Sequence, residues 1–147
     1  MTLSVFSDEY YMKQAYNEAL LALEEDEIPI GAVVVCNNKI VARTHNQTER
    51  LNDVTAHAEM LAITAAANAI GAKYLDECVL YVTLEPCPMC AGALAHSHIG
   101  RVVWAADDAK NGFSRFGNML HPKTKTQTGV MHDECLSLLT GFFKRKR

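Results

Sequence analysis

Apolar side chains at Met12, Ala15, Tyr16, Ala19, Leu20 and Leu23 recur at steps of three and four, which lays one stripe along a helix over residues 7–25. Ser7 stands where a helix needs an N-cap, and Asp8 and Glu9 meet the positive end of its dipole. The period then changes. Two β-branched runs, Gly31–Cys36 and 39–43, flank Asn37-Asn38 and predict a β-hairpin. Residues 44–53 are polar without a period and predict a loop. The Ala-rich stretch 56–70 carries Met60, Leu61, Ile63 and Ile70 and stops at Gly71, the pattern of a helix with a C-terminal glycine. A buried strand over 79–83, a second Ala-rich helix over 89–97 and a strand over Arg101–Ala106 follow. Residues 107–128 are polar and contain glycine, and so long a loop in a compact domain is usually functional or carries small local structure. A last helix over 133–147 turns Leu136, Leu139, Phe142 and Phe143 inward. Strand–helix–strand units with short links imply a partly parallel sheet covered by helices, and the hairpin makes that sheet mixed. The class is α/β. No repeat or linker interrupts the pattern, so one domain is expected over 1–147.

Composition narrows the picture. A hydrophobic share of 49% and a charged share of 21% exclude a disordered chain. The net charge of −3 averages two unlike parts: residues 1–98 hold 13 acidic and 5 basic side chains, residues 99–147 hold 4 and 9. Such asymmetry points to a polyanion contact on one side, or to a solubilising basic tail at Lys144-Arg145-Lys146-Arg147. The first residues show no basic segment followed by an apolar one, and no apolar run is long enough to span a membrane. Five cysteines, an odd number, favour a reducing cytoplasm with free or metal-bound thiols. Cys36, Cys78 and Cys135 stand in apolar strand or helix contexts and read as small hydrophobes.

Cys87 and Cys90 stand together in Pro86-Cys87-Pro88-Met89-Cys90, at the start of one helix, while His57-Ala58-Glu59 starts another. Three residues apart, the two thiols share a helix face and can grip one ion. The helix N-terminus and a nearby cation favour thiolate. With His57 they make a three-ligand zinc set of net charge −2 that leaves a fourth position for water, the pattern of a catalytic rather than a structural site. Water so bound yields hydroxide near neutral pH. Glu59, two residues from His57, does not share its direction on the helix but lies close enough to move protons to and from that water. Three other readings use some of the same residues. Cys-Pro-x-Cys is also a glutaredoxin-like redox motif, which leaves His57 and Glu59 idle. A closed structural site would recruit Cys36, Cys78 or Cys135. Simple packing leaves polar groups clustered at two helix starts without partners.

His57-x-Glu59 followed by Pro86-Cys87-x-x-Cys90 resembles the signature of the zinc-dependent cytidine/deoxycytidylate deaminase superfamily. The segments 27–32, His45-Asn46, 55–59, 80–87, 89–93, Asp108-Ala109-Lys110 and 134–143 resemble, in order, the bacterial tRNA-specific adenosine deaminases, over roughly residues 5–145. The resemblance implies a three-layer α/β/α fold with a mixed five-stranded sheet, one zinc ion per subunit and a homodimer in the cytoplasm. It implies deamination of adenosine to inosine at the wobble position of a tRNA anticodon stem-loop, with zinc-bound hydroxide attacking C6 and Glu59 as proton shuttle. By position, Asn46 and the Ala58 backbone hold the target nucleoside, and Asp108 and Lys110 meet neighbouring nucleotides. This chain departs from the family pattern at Pro88, which is seen more in guanine and cytosine deaminases, and at His98. It also departs over 111–128, where Phe113 and Phe116 offer stacking faces and Arg115, Lys123 and Lys125 offer cations to RNA. Packing of this loop is the other role open to those residues. A free-nucleobase deaminase for guanine or cytosine would use the same zinc site.

Overall fold

The computed structural model describes residues 6–146, so the first residues of the chain and Arg147 of the basic tail lie outside it. Helix α1 spans Asp8–Glu24, and Ser7 caps it by accepting a hydrogen bond from the Tyr10 N–H at 3.0 Å. Strands β1 (Gly31–Cys36) and β2 (Lys39–His45) form the hairpin, with Asn37 and Asn38 both at positive φ in the turn. The remaining elements are α2 (Ala58–Ile70), β3 (Cys78–Leu84), α3 (Pro88–Ser97), β4 (Arg101–Ala106), a 3-10 turn over Phe113–Phe116, β5 (Lys125–Thr128) and α4 (His132–Arg145). The sheet order is β2-β1-β3-β4-β5; β1 runs antiparallel to β2 and β3, while β4 runs parallel to β3 and β5.

Strand alternation sorts the core into two layers. Val34, Leu80, Val82 and Val102 point toward α2 and α3, where Ala58, Ala62, Ala66, Ala91 and Leu94 pack on them. Val33, Val35, Tyr81 and Val103 point the other way, onto Tyr11, Met12 and Ala15 of α1 and Cys135 of α4. The alanines of α2 repeat every four residues, so the helix backbone approaches the sheet closely. Gly31 does the same for α1: a Cβ there would collide with the Ala15 carbonyl and the Ala19 amide. The fold is therefore three-layered, α/β/α, around a mixed five-stranded sheet. An ion pair ties its first helix to its centre: Asp8 accepts two hydrogen bonds from Arg101 at 2.8 Å and one from the Tyr81 hydroxyl at 2.7 Å.

The stretch 107–128 carries the small local structure expected of so long a loop, here the 3-10 turn and β5, whose four residues are all exposed. An edge strand reading Lys-Thr-Gln-Thr has no buried face and hence no hydrophobic period. In α4, only Leu139 and Phe142 of the four apolar residues assigned inward are buried; Leu136 and Phe143 are exposed.

Candidate metal centre and active site

The site forms where β3 ends and α2 and α3 begin, at the carboxyl ends of the parallel pair β3–β4. Such strand ends are where open α/β sheets hold ligands. The approach to α2 is built by Asp53, whose Oδ1 accepts from the N–H and hydroxyl of Thr55, both at 2.8 Å. That turn delivers His57 as the extended N-cap of α2. Cys87 is likewise the N-cap of α3, and Pro88 follows at the first helical position, where its fixed φ and missing N–H do no harm. One turn on, Cys90 is buried under the helix start.

The ligand atoms of His57, Cys87 and Cys90 all lie within 4.8 Å of one another. His57 Nδ1 is 3.6 Å from Cys87 Sγ and 3.5 Å from Cys90 Sγ. Tetrahedral zinc, with Zn–S of ~2.3 Å and Zn–N of ~2.0–2.1 Å, sets such ligands about 3.6 Å apart. The donors are already spaced for the ion. Hydrogen bonding from Cys90 and His57 pulls the Cys87 thiol down to about 4, whereas the shared proton and burial push Cys90 far up. The Cys87 contact in turn raises His57. Thiols bind a metal as thiolates, so a dication bound by these donors would release their protons.

Glu59 is buried beside this group, and desolvation, with the Cys87 charge adding, pushes it up to about 7. A carboxyl balanced near neutral pH can both take and return a proton. Glu59 and two of the donors, His57 and Cys87, open into a cleft of about 770 Å³ whose rim carries Asp108 and Lys110. Leu136, Thr140 and Phe143 of α4 line it too, a helix face of which Leu136 and Phe143 were expected in the core. A smaller hollow of about 350 Å³, also touching His57, is lined by Asn46. Ala58 is buried, and its carbonyl accepts from Thr44 Oγ1 at 2.7 Å.

The loop residues divide. Phe113 is 4% exposed and packs edge-on against Trp104, so it is core. Phe116 is 62% exposed, with the Arg115 guanidinium 5.3 Å from its ring centre. Lys123 lines a separate hollow with Tyr74, His98 and His121, and Lys125 pairs with Arg101 at the start of β4. Both therefore lie at the opposite end of the sheet from the cleft. The other cysteines do not join the centre: Cys36 faces Cys78 across β1–β3, Cys135 lies on the α1 side, and all five thiols are free.

Two carboxylates shape the loops around the site. Buried Glu27 accepts from the backbone N–H groups of Glu49 and Arg50, at 3.1 and 2.7 Å, and so shapes the loop beyond Asn46. Glu85 does the same for the loop after β4, accepting from Asp108 and Ser114. Each stands at the edge of a site motif, but only the tertiary fold brings its partners near.

The model of the cytidine and deoxycytidylate deaminase zinc-binding region matches residues 6–106. The tRNA-specific adenosine deaminase of Bacillus subtilis is 46% identical, over 95% of this chain and 91% of its own. A solved structure from studies of A-to-I editing by tRNA:A34 deaminases at the wobble position of transfer RNA is 41% identical, with a TM-score of 0.83 over 88% of this chain and 99% of that one. A guanine deaminase structure from Bacillus subtilis is 37% identical, with a TM-score of 0.67 over 76% of this chain and 71% of that one. With its His–Cys–Cys donors spaced for zinc and its buried glutamate beside them, the chain belongs to the zinc-dependent cytidine and deoxycytidylate deaminase family and, within it, to the tRNA-specific adenosine deaminases.

Proposed function

We propose that this chain deaminates adenosine at the wobble position of a tRNA anticodon, consuming water and releasing ammonia to leave inosine. The reading is carried by the His57–Cys87–Cys90 donor set with Glu59 buried beside it, at the floor of a cleft rimmed by Asp108 and Lys110. Zinc held by the three donors supplies the Lewis acidity that makes water nucleophilic at neutral pH. Glu59 accepts the proton of the attacking water and returns it to the departing amine, and its burial keeps both transfers away from solvent. Asn46 and the backbone of Ala58, at the start of α2, orient the nucleoside. The base must leave its stack to reach this depth, which an unpaired anticodon loop permits at low cost. Asp108 and Lys110 meet the flanking nucleotides, and exposed Phe116 offers a ring to a base.

Exposed apolar side chains near the site motifs support a second copy as partner: Leu51 and Val54 precede His57, and Met89 lies between the two cysteines. Among the described residues no helix is long and apolar enough to cross a membrane. Five free thiols support a reducing cytoplasm as the working compartment. A free-nucleobase deaminase is the second reading, favoured by the likeness to guanine deaminase and by Pro88. The test is incubation with a transcribed tRNA bearing wobble adenosine, followed by digestion and nucleoside analysis. Inosine at that one position supports the proposal; unchanged tRNA with ammonia released from guanine supports the second reading instead.

A further inference from the structure

Glu85 is a buried carboxylate whose hydrogen-bond partners are all neutral groups of one loop. Its Oε1 accepts from the Asp108 N–H at 3.0 Å, and its Oε2 accepts from the N–H and the hydroxyl of Ser114 at 3.0 and 2.6 Å. The carboxylate thus grips both ends of the loop 108–114. Two further hydrogen bonds close the same unit. The Phe113 N–H donates to the Pro86 carbonyl at 2.9 Å, and the Gly112 N–H donates to the Asp108 carbonyl at 2.8 Å. A Cβ on Gly112 would collide with the Glu85 carboxyl, so the loop and the carboxylate leave no spare room between them. Inside the loop, Asp108 Oδ1 accepts from the N–H groups of Lys110 and Asn111 at 3.2 and 3.0 Å, which fixes both rim residues together.

The placement links two functions. On one side Glu85 is followed by Pro86 and the metal ligand Cys87; on the other it holds the segment that carries Asp108 and Lys110 to the cleft rim. We propose that Glu85 is a positioning residue that sets the rim loop at a fixed height over the metal centre, and so favours a nucleotide within a strand over a free base. The inference rests on the deaminase reading above and extends it to substrate selection. Acid–base chemistry is left to Glu59; Glu85 acts through Asp108 and Lys110.

Glu85→Gln is the informative change, because glutamine keeps the shape and one acceptor oxygen. Its amide nitrogen must then face either the Asp108 N–H or the Ser114 N–H, donor against donor, and one end of the loop is released. The expected result is unchanged zinc content, kcat within about twofold, and KM for the wobble-adenosine tRNA raised about tenfold, the loss of a hydrogen bond to a charged acceptor. Amide hydrogen exchange over 108–114 should quicken by a similar factor. Ser114→Ala, which removes one of the three donors, should move both readouts the same way by less, and it serves if Glu85→Gln does not fold. In an Asp108→Ala, Lys110→Ala background, Glu85→Gln should add nothing to KM. Unchanged exchange and KM would overturn the proposal. So would lost zinc, a fall confined to kcat, or an undiminished KM effect in that background. A parent enzyme inactive on the tRNA would refute the substrate reading, while the exchange experiment would still judge the loop clamp.

Discussion

Replacing Glu59 by glutamine should sharply slow turnover and at the same time stabilise the metal-free protein. In the folded chain the carboxyl is pushed from 4.5 to about 7, chiefly by burial. Between those values the folded state holds a proton that the unfolded state has released, so this group erodes stability as pH rises through the window. The cost is small below 4.5 and complete above about 7. At about 1.36 kcal/mol per unit it reaches about 3 kcal/mol at pH 8, and under about 1 kcal/mol at pH 5. Glutamine keeps the volume and cannot ionise, so Glu59→Gln should gain up to that amount at pH 8 and little at pH 5. Urea unfolding of chelator-treated protein at the two pH values measures it. In the zinc-loaded enzyme the same change removes the proton shuttle, for which a loss of roughly 10²–10⁴ in kcat is expected. Zinc content should hold at one per chain, because Glu59 lies outside the donor set. Activity kept within tenfold would rule out the shuttle role of Glu59, and a destabilised metal-free protein at pH 8 would rule out its raised pKa.

Cys87→Ala removes one of three donors and should leave the purified protein with almost no zinc by metal analysis, where the parent carries one ion per chain. The two phenylalanines of the 3-10 turn should part company. Phe113→Ala, in the core against Trp104, should cost about 3–5 kcal/mol in unfolding, whereas Phe116→Ala should leave stability unchanged and weaken tRNA binding, read by denaturation and filter binding respectively. The Arg101 guanidinium beside Asp8 holds its carboxyl below the usual value, so this pair contributes fully above the ordinary carboxylate range and is lost as pH falls through the folded value. Asp8→Asn should therefore cost about 1 kcal/mol at pH 7 and a shrinking amount toward pH 3, measured by thermal melts across that range.

Local chemistry made much of this legible in the sequence. Asn37-Asn38 announced the hairpin because few residues accept positive φ twice in succession. The two helix starts were marked by residues that can ligate a metal, and the fold brings their ligand atoms within 4.8 Å of one another. What stayed hidden depends on distant partners. β5 is recognisable only through its backbone pairing with β4, since all four side chains face solvent. In α4, Leu136 and Phe143 look like core residues, yet with Thr140 they form a second face that the cleft uses. Lys123 and Lys125 belong to the basic half of the chain, but β5 carries them to the far end of the sheet. Lys146 is spent on Asp26, at 2.6 Å. Charge counted along a chain says nothing of where folding puts it.

Substrate choice is read from the specificity ratio of one zinc-loaded preparation, taken from ammonia release with wobble-adenosine tRNA, guanine, cytosine and free adenosine in parallel. For a tRNA deaminase, kcat/KM for the tRNA should exceed that for every free base or nucleoside by at least about a hundredfold. A free base turned over as efficiently as the tRNA, or better, would contradict it.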